Sequence, residues 1–211
     1  MGPGASVSRV APVTADTAVT SALRVLSAAL TELGRPSMVI GGIAVIARGV
    51  PRTTLDIDAT VWAEGLDLDR ALAVFAAHGI APRIDDARAF AIERQVLLLR
   101  HEASKMPLDV ALAWLPFEHE ALARATLVDF GGFHATVARA EDLIVYKSIA
   151  WRERDRTDIE RLLALHRDEI DLSRLRNLLA QGYLSLGTIG GQQLLLVENP
   201  RSVRGGLSFI F

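Results

Sequence analysis

The chain has 211 residues, 50% of them hydrophobic, enough to bury one sizeable core with a small appended lobe. With 23 basic and 25 acidic side chains its formal net charge is −2, which excludes a global attraction to nucleic acid or to an anionic membrane. Cysteine is absent, so disulfides and thiolate metal sites are excluded, and the composition fits a reducing cytoplasm.

Residues 1–16 are rich in Gly, Pro, Ala, Ser and Val without helical periodicity and read as a flexible arm. They contain no apolar core of a signal peptide. From Thr17 to Leu33, Val19, Leu23, Val25, Leu26, Leu30 and Leu33 recur at helical spacing, and Gly34-Arg35-Pro36 stops the helix. Met38 to Ala47 is the longest apolar stretch, ten residues broken by two glycines, against roughly 20 for a membrane span. It reads as a short strand, Met38 to Ile40, then Gly41-Gly42 and a short helix, Ile43 to Arg48. Thr53 to Val61 alternates in period two and is expected to be a strand. Leu68 to His78 is a helix ending at Gly79. Gln95 to Arg100 and Leu108 to Ala113 are strands, and Gly131-Gly132 joins the two arms of a hairpin, Thr126 to Phe130 and Phe133 to Ala138. From Ala140 the pattern turns helical, with helices over Glu141 to Trp151, Thr157 to Leu165 and Leu172 to Ala180. These elements predict an α+β fold, a mixed β-sheet flanked by helices with a C-terminal helical lobe. The expected division is an arm 1–16, a core 17–139, a helical lobe 140–180 and a tail 181–211 without a clear period.

The chemistry concentrates at Thr54-Leu-Asp-Ile-Asp-Ala-Thr-Val61. In a strand, Leu55, Ile57, Ala59 and Val61 share one face and can be buried. Asp56 and Asp58 share the other, with Cα atoms about 6.5–7 Å apart. Neighbouring carboxylates repel unless a cation lies between them, and Mg²⁺ held by carboxylates and substrate phosphates is the usual resolution. Asp-x-Asp alone equally fits a hydrated polar strand. Upstream, Gly41-Gly42 lets backbone approach an anion at a helix start. Asp109 interrupts an apolar run, Leu108 to Leu115, and must face water or a cation. Three strand-borne carboxylates and a phosphate-binding turn are the parts of metal-assisted phosphoryl or nucleotidyl transfer.

Val39-Ile-Gly-Gly-Ile-Ala-Val-Ile-Ala-Arg-Gly-Val-Pro-Arg-Thr-Thr-Leu-Asp-Ile-Asp58 resembles the first motif of the AbiEii/AbiGii toxin-type nucleotidyltransferases, within the polymerase-β-like superfamily. Ala140-Glu-Asp-Leu-Ile-Val-Tyr-Lys147, followed by Arg154-Asp155-x-x-Asp158, resembles the family's Lys helix and its following Lys/Arg-Asp-x-x-Asp motif. The resemblance covers roughly residues 20–180. It implies the polymerase-β-like nucleotidyltransferase fold and transfer of a nucleoside monophosphate from an NTP to a hydroxyl acceptor with Mg²⁺. It also implies roles. Gly41 and Gly42 contact the triphosphate. Asp56, Asp58 and Asp109 hold metal, with Asp109 helping to deprotonate the acceptor. Lys147 contacts nucleotide phosphates, and Arg52 is a further phosphate contact. Many superfamily members carry Gly-Ser where this chain has Gly41-Gly42.

Lys147, Trp151, Arg154 and Asp158 share one face if a single helix continues through Arg154. The alternative is a solvated surface with ordinary ion pairs. Asp155 and Asp158 are expected to anchor the lobe by capping or by pairing with Arg152 or Arg154. The acceptor implied by the resemblance is a tRNA 3′ end or a protein side chain, in a toxin–antitoxin pair with a cognate antitoxin. Two alternatives remain: a non-catalytic member that binds a nucleotide or a partner, and a small-molecule, aminoglycoside-type nucleotidyltransferase. No membrane partner is expected, and the setting is cytoplasmic.

Overall fold

The computed structural model describes residues 8–9 and 17–182. Most of the expected arm 1–16, and the tail beyond residue 182, lie outside the described residues. Two compact units are present, Met1–Arg139 and Ala140–Phe211.

In the first unit the order is β1 (Ser8–Arg9), α1 (Thr17–Leu33), β2 (Ser37–Val39), α2 (Gly41–Ala47), β3 (Ile57–Trp62), α3 (Leu68–Ala77), β4 (Ile80–Pro82), α4 (Ala87–Arg94), β5 (Val96–His101), β6 (Pro107–Ala113), α5 (Pro116–Arg124), β7 (Thr126–Asp129) and β8 (His134–Val137). One mixed sheet runs β1-β7-β8-β2-β3-β6-β5-β4. The pairs β1–β7, β2–β8 and β3–β6 are parallel, and the remaining neighbours are antiparallel. This is the α+β architecture expected from the order of helical and alternating segments.

Strand alternation puts Ile57, Ala59 and Val61 of β3 beside Leu108, Val110 and Leu112 of β6, and all six are buried. Each large aliphatic side chain of this layer contributes about 1.5–3 kcal/mol by leaving water. α1 buries Leu23, Leu26, Leu30 and Leu33 of the stripe that its spacing predicts, while Val19 and Val25 are half-buried. Polar side chains close the helix ends. Asp67 accepts from the Asp69 and Arg70 amides at α3, and Asp86 accepts from Ala89 at α4. Arg48, just past α2, donates to the Val137 and Ala138 carbonyls and to the Thr126 hydroxyl at 2.7–2.8 Å. It thereby ties the end of α2 to the β7–β8 hairpin.

Several elements differ from the sequence expectation. α2 begins at Gly41, so the two glycines form its first turn instead of a linker before it. β3 begins at Ile57. Thr53 to Asp56 therefore lead into the strand, and Leu55 is 85% exposed rather than buried with Ile57. The Thr54 hydroxyl, 3.1 Å from the Asp56 carbonyl, forms a local turn that competes with strand pairing. β1, which lies inside the expected arm, and β4, α4 and α5 were not anticipated. β4 is only three residues long, and α4 (Ala-Arg-Ala-Phe-Ala-Ile-Glu-Arg) has few large apolar residues to mark a helical face.

The second unit contains α6 (Ala140–Ala150), α7 (Glu153–Leu165) and α8 (Leu172–Gly182). The single helix running through Arg154 is not formed. Trp151 takes φ 47°, a left-handed conformation that ends α6, and Asp155 caps α7 by accepting from the Arg152 amide at 3.0 Å. Lys147 and Asp158 thus lie on different helices.

Candidate active site

β3 and β6 are parallel neighbours, and their register pairs Asp58 directly with Asp109. Paired residues in a sheet project to the same face. The two carboxylates therefore stand side by side on the face opposite Ile57, Ala59, Leu108 and Val110. Both residues are only 7% exposed. Asp56 lies just ahead of β3, where the Thr54 hydroxyl is 3.0 Å from its Oδ1. Its charge is close enough to act on Asp109.

Burial pushes the Asp109 carboxyl above its ordinary value of 3.8; the Arg83 guanidinium opposes this, and the Asp56 charge adds to it. Arg83 Nη2 donates to Asp109 Oδ1. No motif marks Arg83: it is a lone basic residue after Ala81-Pro82, and sequence reasoning missed it. Its relevance follows only from the strand order.

The raised proton affinity has a signed consequence for stability. Protonated Asp109 favours the fold, fully so below its unfolded-chain value, and that contribution is lost as pH rises through the higher folded value. An asparagine stays neutral throughout. In metal-free protein, Asp109→Asn is therefore expected to raise the urea midpoint relative to wild type increasingly between about pH 4 and about pH 7. Urea unfolding at the two pH values checks this, and a gap that shrinks with rising pH contradicts it.

The glycines of α2 are explained by what lies against them. A Cβ on Gly41 would overlap the Asp58 carboxylate, 2.6 Å from its Cγ, and Gly41 has φ +61°, which side chains disfavour. A Cβ on Gly42 would stand 2.6 Å from Thr54 Oγ1, 3.0 Å from Thr54 Cβ and 3.3 Å from Arg52 Nη2. The start of α2, Asp58, Thr54 and Arg52 are thus brought together. The room for a serine at position 42 is filled by Thr54. Gly42→Ser is expected to displace Thr54, to lower the melting temperature by several degrees, the scale of about 1–3 kcal/mol of overpacking, and to impair the site. A thermal melt checks this, and an unchanged or higher melting temperature contradicts it.

Lys147 lies in the second unit. Its ammonium is 3.1 Å from Asp155 Oδ1 and 2.7 Å from Asp158 Oδ2, with all three side chains at most 8% exposed. Asp155 caps α7, one of the two expected anchoring modes, and both Asp155 and Asp158 pair with Lys147, a partner the sequence reading did not give them. Arg174 makes a second ion cluster with Glu141 and Asp142.

Among the described residues, no group of three or more His, Cys, Asp or Glu side chains is gathered around a common point for an ion. Arg83 engages Asp109, and Thr54 engages Asp56. The donor chemistry nonetheless fits Mg²⁺: Asp58 and Asp109 offer hard carboxylate oxygens side by side on one face, with Asp56 leading into it.

Residues 17–189 match the family model DUF6036, described as a nucleotidyltransferase of unknown function. The chain belongs to this family. It is a nucleotidyltransferase, as the motifs at Gly41 to Asp58 lead one to expect. Solved structures of similar fold include a solution structure of the antibiotic-resistance factor ANT(2'')-Ia, 20% identical, covering 79% of this chain and 91% of that one, with a TM-score of 0.52. A crystal structure of ANT(2'')-Ia in complex with adenylyl-2''-tobramycin is 21% identical, covering 79% and 97%, with a TM-score of 0.51. An antigenic nucleotidyltransferase-like protein from Paracoccidioides brasiliensis is 18% identical, covering 82% and 90%, with a TM-score of 0.49. No curated protein matches the sequence. The two ANT(2'')-Ia likenesses show that the DUF6036 chain has a nucleotidyltransferase fold. Among the described residues, no helix is long and apolar enough to cross a membrane.

Proposed function

We propose that the protein transfers a nucleoside monophosphate from an NTP to a hydroxyl group, releasing pyrophosphate, with Mg²⁺ held by Asp56, Asp58 and Asp109. The pairing of Asp58 with Asp109 on adjacent parallel strands, with Gly41 packed on Asp58, carries this reading. Bound Mg²⁺ supplies charge neutralisation of the triphosphate and polarisation of the phosphorus under attack. The chain's own groups do the rest. Gly41 and Gly42, in the first turn of α2, are assigned to meet phosphate oxygens through main-chain N–H groups. Arg52, whose guanidinium lies beside Gly42, adds a charge-assisted contact. An Asp109 carboxylate oxygen, whose proton affinity burial has raised, accepts the hydroxyl proton of the acceptor.

Lys147 is assigned to the internal ion cluster of the helical unit and not to the nucleotide, because two buried carboxylates hold its ammonium. The motif resemblance supports a tRNA 3′ end or a protein side chain as acceptor, and a toxin paired with an antitoxin in the cytoplasm as setting. The fold shared with ANT(2'')-Ia supports testing an aminoglycoside acceptor alongside.

The experiment is incubation of the full chain with each α-labelled NTP and Mg²⁺, separately with total tRNA, with protein and with aminoglycosides. Label on one acceptor class, lost on chelation, is the expected result. Nucleotide binding without label on any of them would instead identify a non-catalytic nucleotide-binding member of the family.

A further inference from the structure

Four residues form one row across the sheet. Asp58 on β3 pairs with Asp109 on β6, and Asp109 pairs with Leu98 on β5. Arg83, just beyond β4, donates its main-chain N–H to the Leu98 carbonyl at 2.9 Å. Strands lie about 4.8 Å apart, so Arg83 stands roughly 10 Å from Asp109 and only a long side chain bridges that gap. The arginine side chain spans the width of β5, and its guanidinium reaches Asp109 Oδ1. The two ends differ in exposure. The Asp109 side chain is 9% exposed and the Arg83 side chain 30%. Arg83 can therefore leave for solvent while Asp109 stays fixed in its strand.

We propose that Arg83 is a place-holding cation, occupying Asp109 in the metal-free protein, yielding it to a divalent ion, and then pairing with the nucleotide phosphates on the same face. The inference rests on the proposed metal site. A buried carboxylate next to Asp58 and near Asp56 requires positive charge. Arg83 and a divalent cation compete for the same Asp109 oxygens. A guanidinium released there is suited to a phosphate chain, because its fork of donors matches phosphate geometry. Arg83 is thus a positioning residue for the cation and a binding residue for the nucleotide.

The test is Mn²⁺ binding to the full chain without nucleotide, read from the electron paramagnetic resonance of free Mn²⁺, followed by titration with a non-hydrolysable NTP analogue at saturating Mn²⁺. Wild type, Arg83→Gln, Arg83→Lys and Asp58→Asn are compared, with thermal melts to confirm folding. Arg83→Gln is expected to bind Mn²⁺ about fivefold more tightly than wild type, the scale of one part-exposed ion pair, and the analogue more weakly. Arg83→Lys keeps the charge and is expected to bind Mn²⁺ close to wild type. Equal Mn²⁺ affinity in wild type and Arg83→Gln, with Asp58→Asn deficient, would overturn the place-holder and leave the metal site standing. Absence of saturable Mn²⁺ binding in wild type would overturn the metal site itself, and the place-holder with it.

Discussion

Asp58→Asn is expected to lower nucleotidyl transfer about a thousandfold, equivalent to roughly 4 kcal/mol of transition-state stabilisation, while the protein still folds. The substitution preserves shape, and Asp58 is packed against a glycine that admits no larger neighbour. It removes a negative charge from a buried pair, so the metal-free protein is expected to melt no lower than wild type. Transfer is measured with the α-labelled NTP and acceptor that wild type uses, and folding by circular dichroism. Gly41→Ala should reach the same loss by another route. Its Cβ would drive the Asp58 carboxylate out of place, and position 41 at φ +61° is strained for alanine. Full activity in either variant would remove Asp58 from the machinery.

The second large effect concerns stability. Lys147→Met is expected to destabilise the helical unit by about 3–5 kcal/mol, because Asp155 and Asp158 keep their burial and lose the ammonium between them. Replacing all three by apolar residues should restore most of that loss, since the desolvation cost disappears with the charges. Urea unfolding followed by circular dichroism reads both. A Lys147→Met protein as stable as wild type, but with weakened nucleotide affinity, would return Lys147 to the phosphate contact that its motif suggests.

Much of the site is legible in the sequence because its parts are local. Asp58 declares itself by alternation within β3, and Gly41-Gly42 by lying between an apolar strand and a helix. Asp56 does so only by the Asp-x-Asp pattern, because it lies ahead of the strand and does not share its face. The hairpin around Gly131-Gly132 and the helix Thr17–Leu33 follow from turn chemistry and spacing. Other features depend on topology. The registry of Asp58 with Asp109 requires β3 and β6 to be neighbours, across 51 residues of sequence. Arg83 is invisible for the same reason. It meets Asp109 only because β4, β5 and β6 stack in that order. The separation of two helices after Trp151 is legible in the sequence, but the pairing of Lys147 with Asp155 and Asp158 depends on how α6 and α7 pack and is not. Leu55 shows that alternation overreaches where a threonine hydroxyl turns the chain before the strand begins.

The central claim is that the carboxylates of β3 and β6 hold the divalent ion that supports nucleotidyl transfer. Its most direct test is an anomalous-difference map from crystals grown with Mn²⁺ and a non-hydrolysable NTP analogue. The account predicts a peak in contact with Asp58 and Asp109, with Arg83 withdrawn from Asp109 and the phosphates beside Gly41 and Gly42. A nucleotide bound with its Mn²⁺ elsewhere, and Asp109 still held by Arg83, would contradict it.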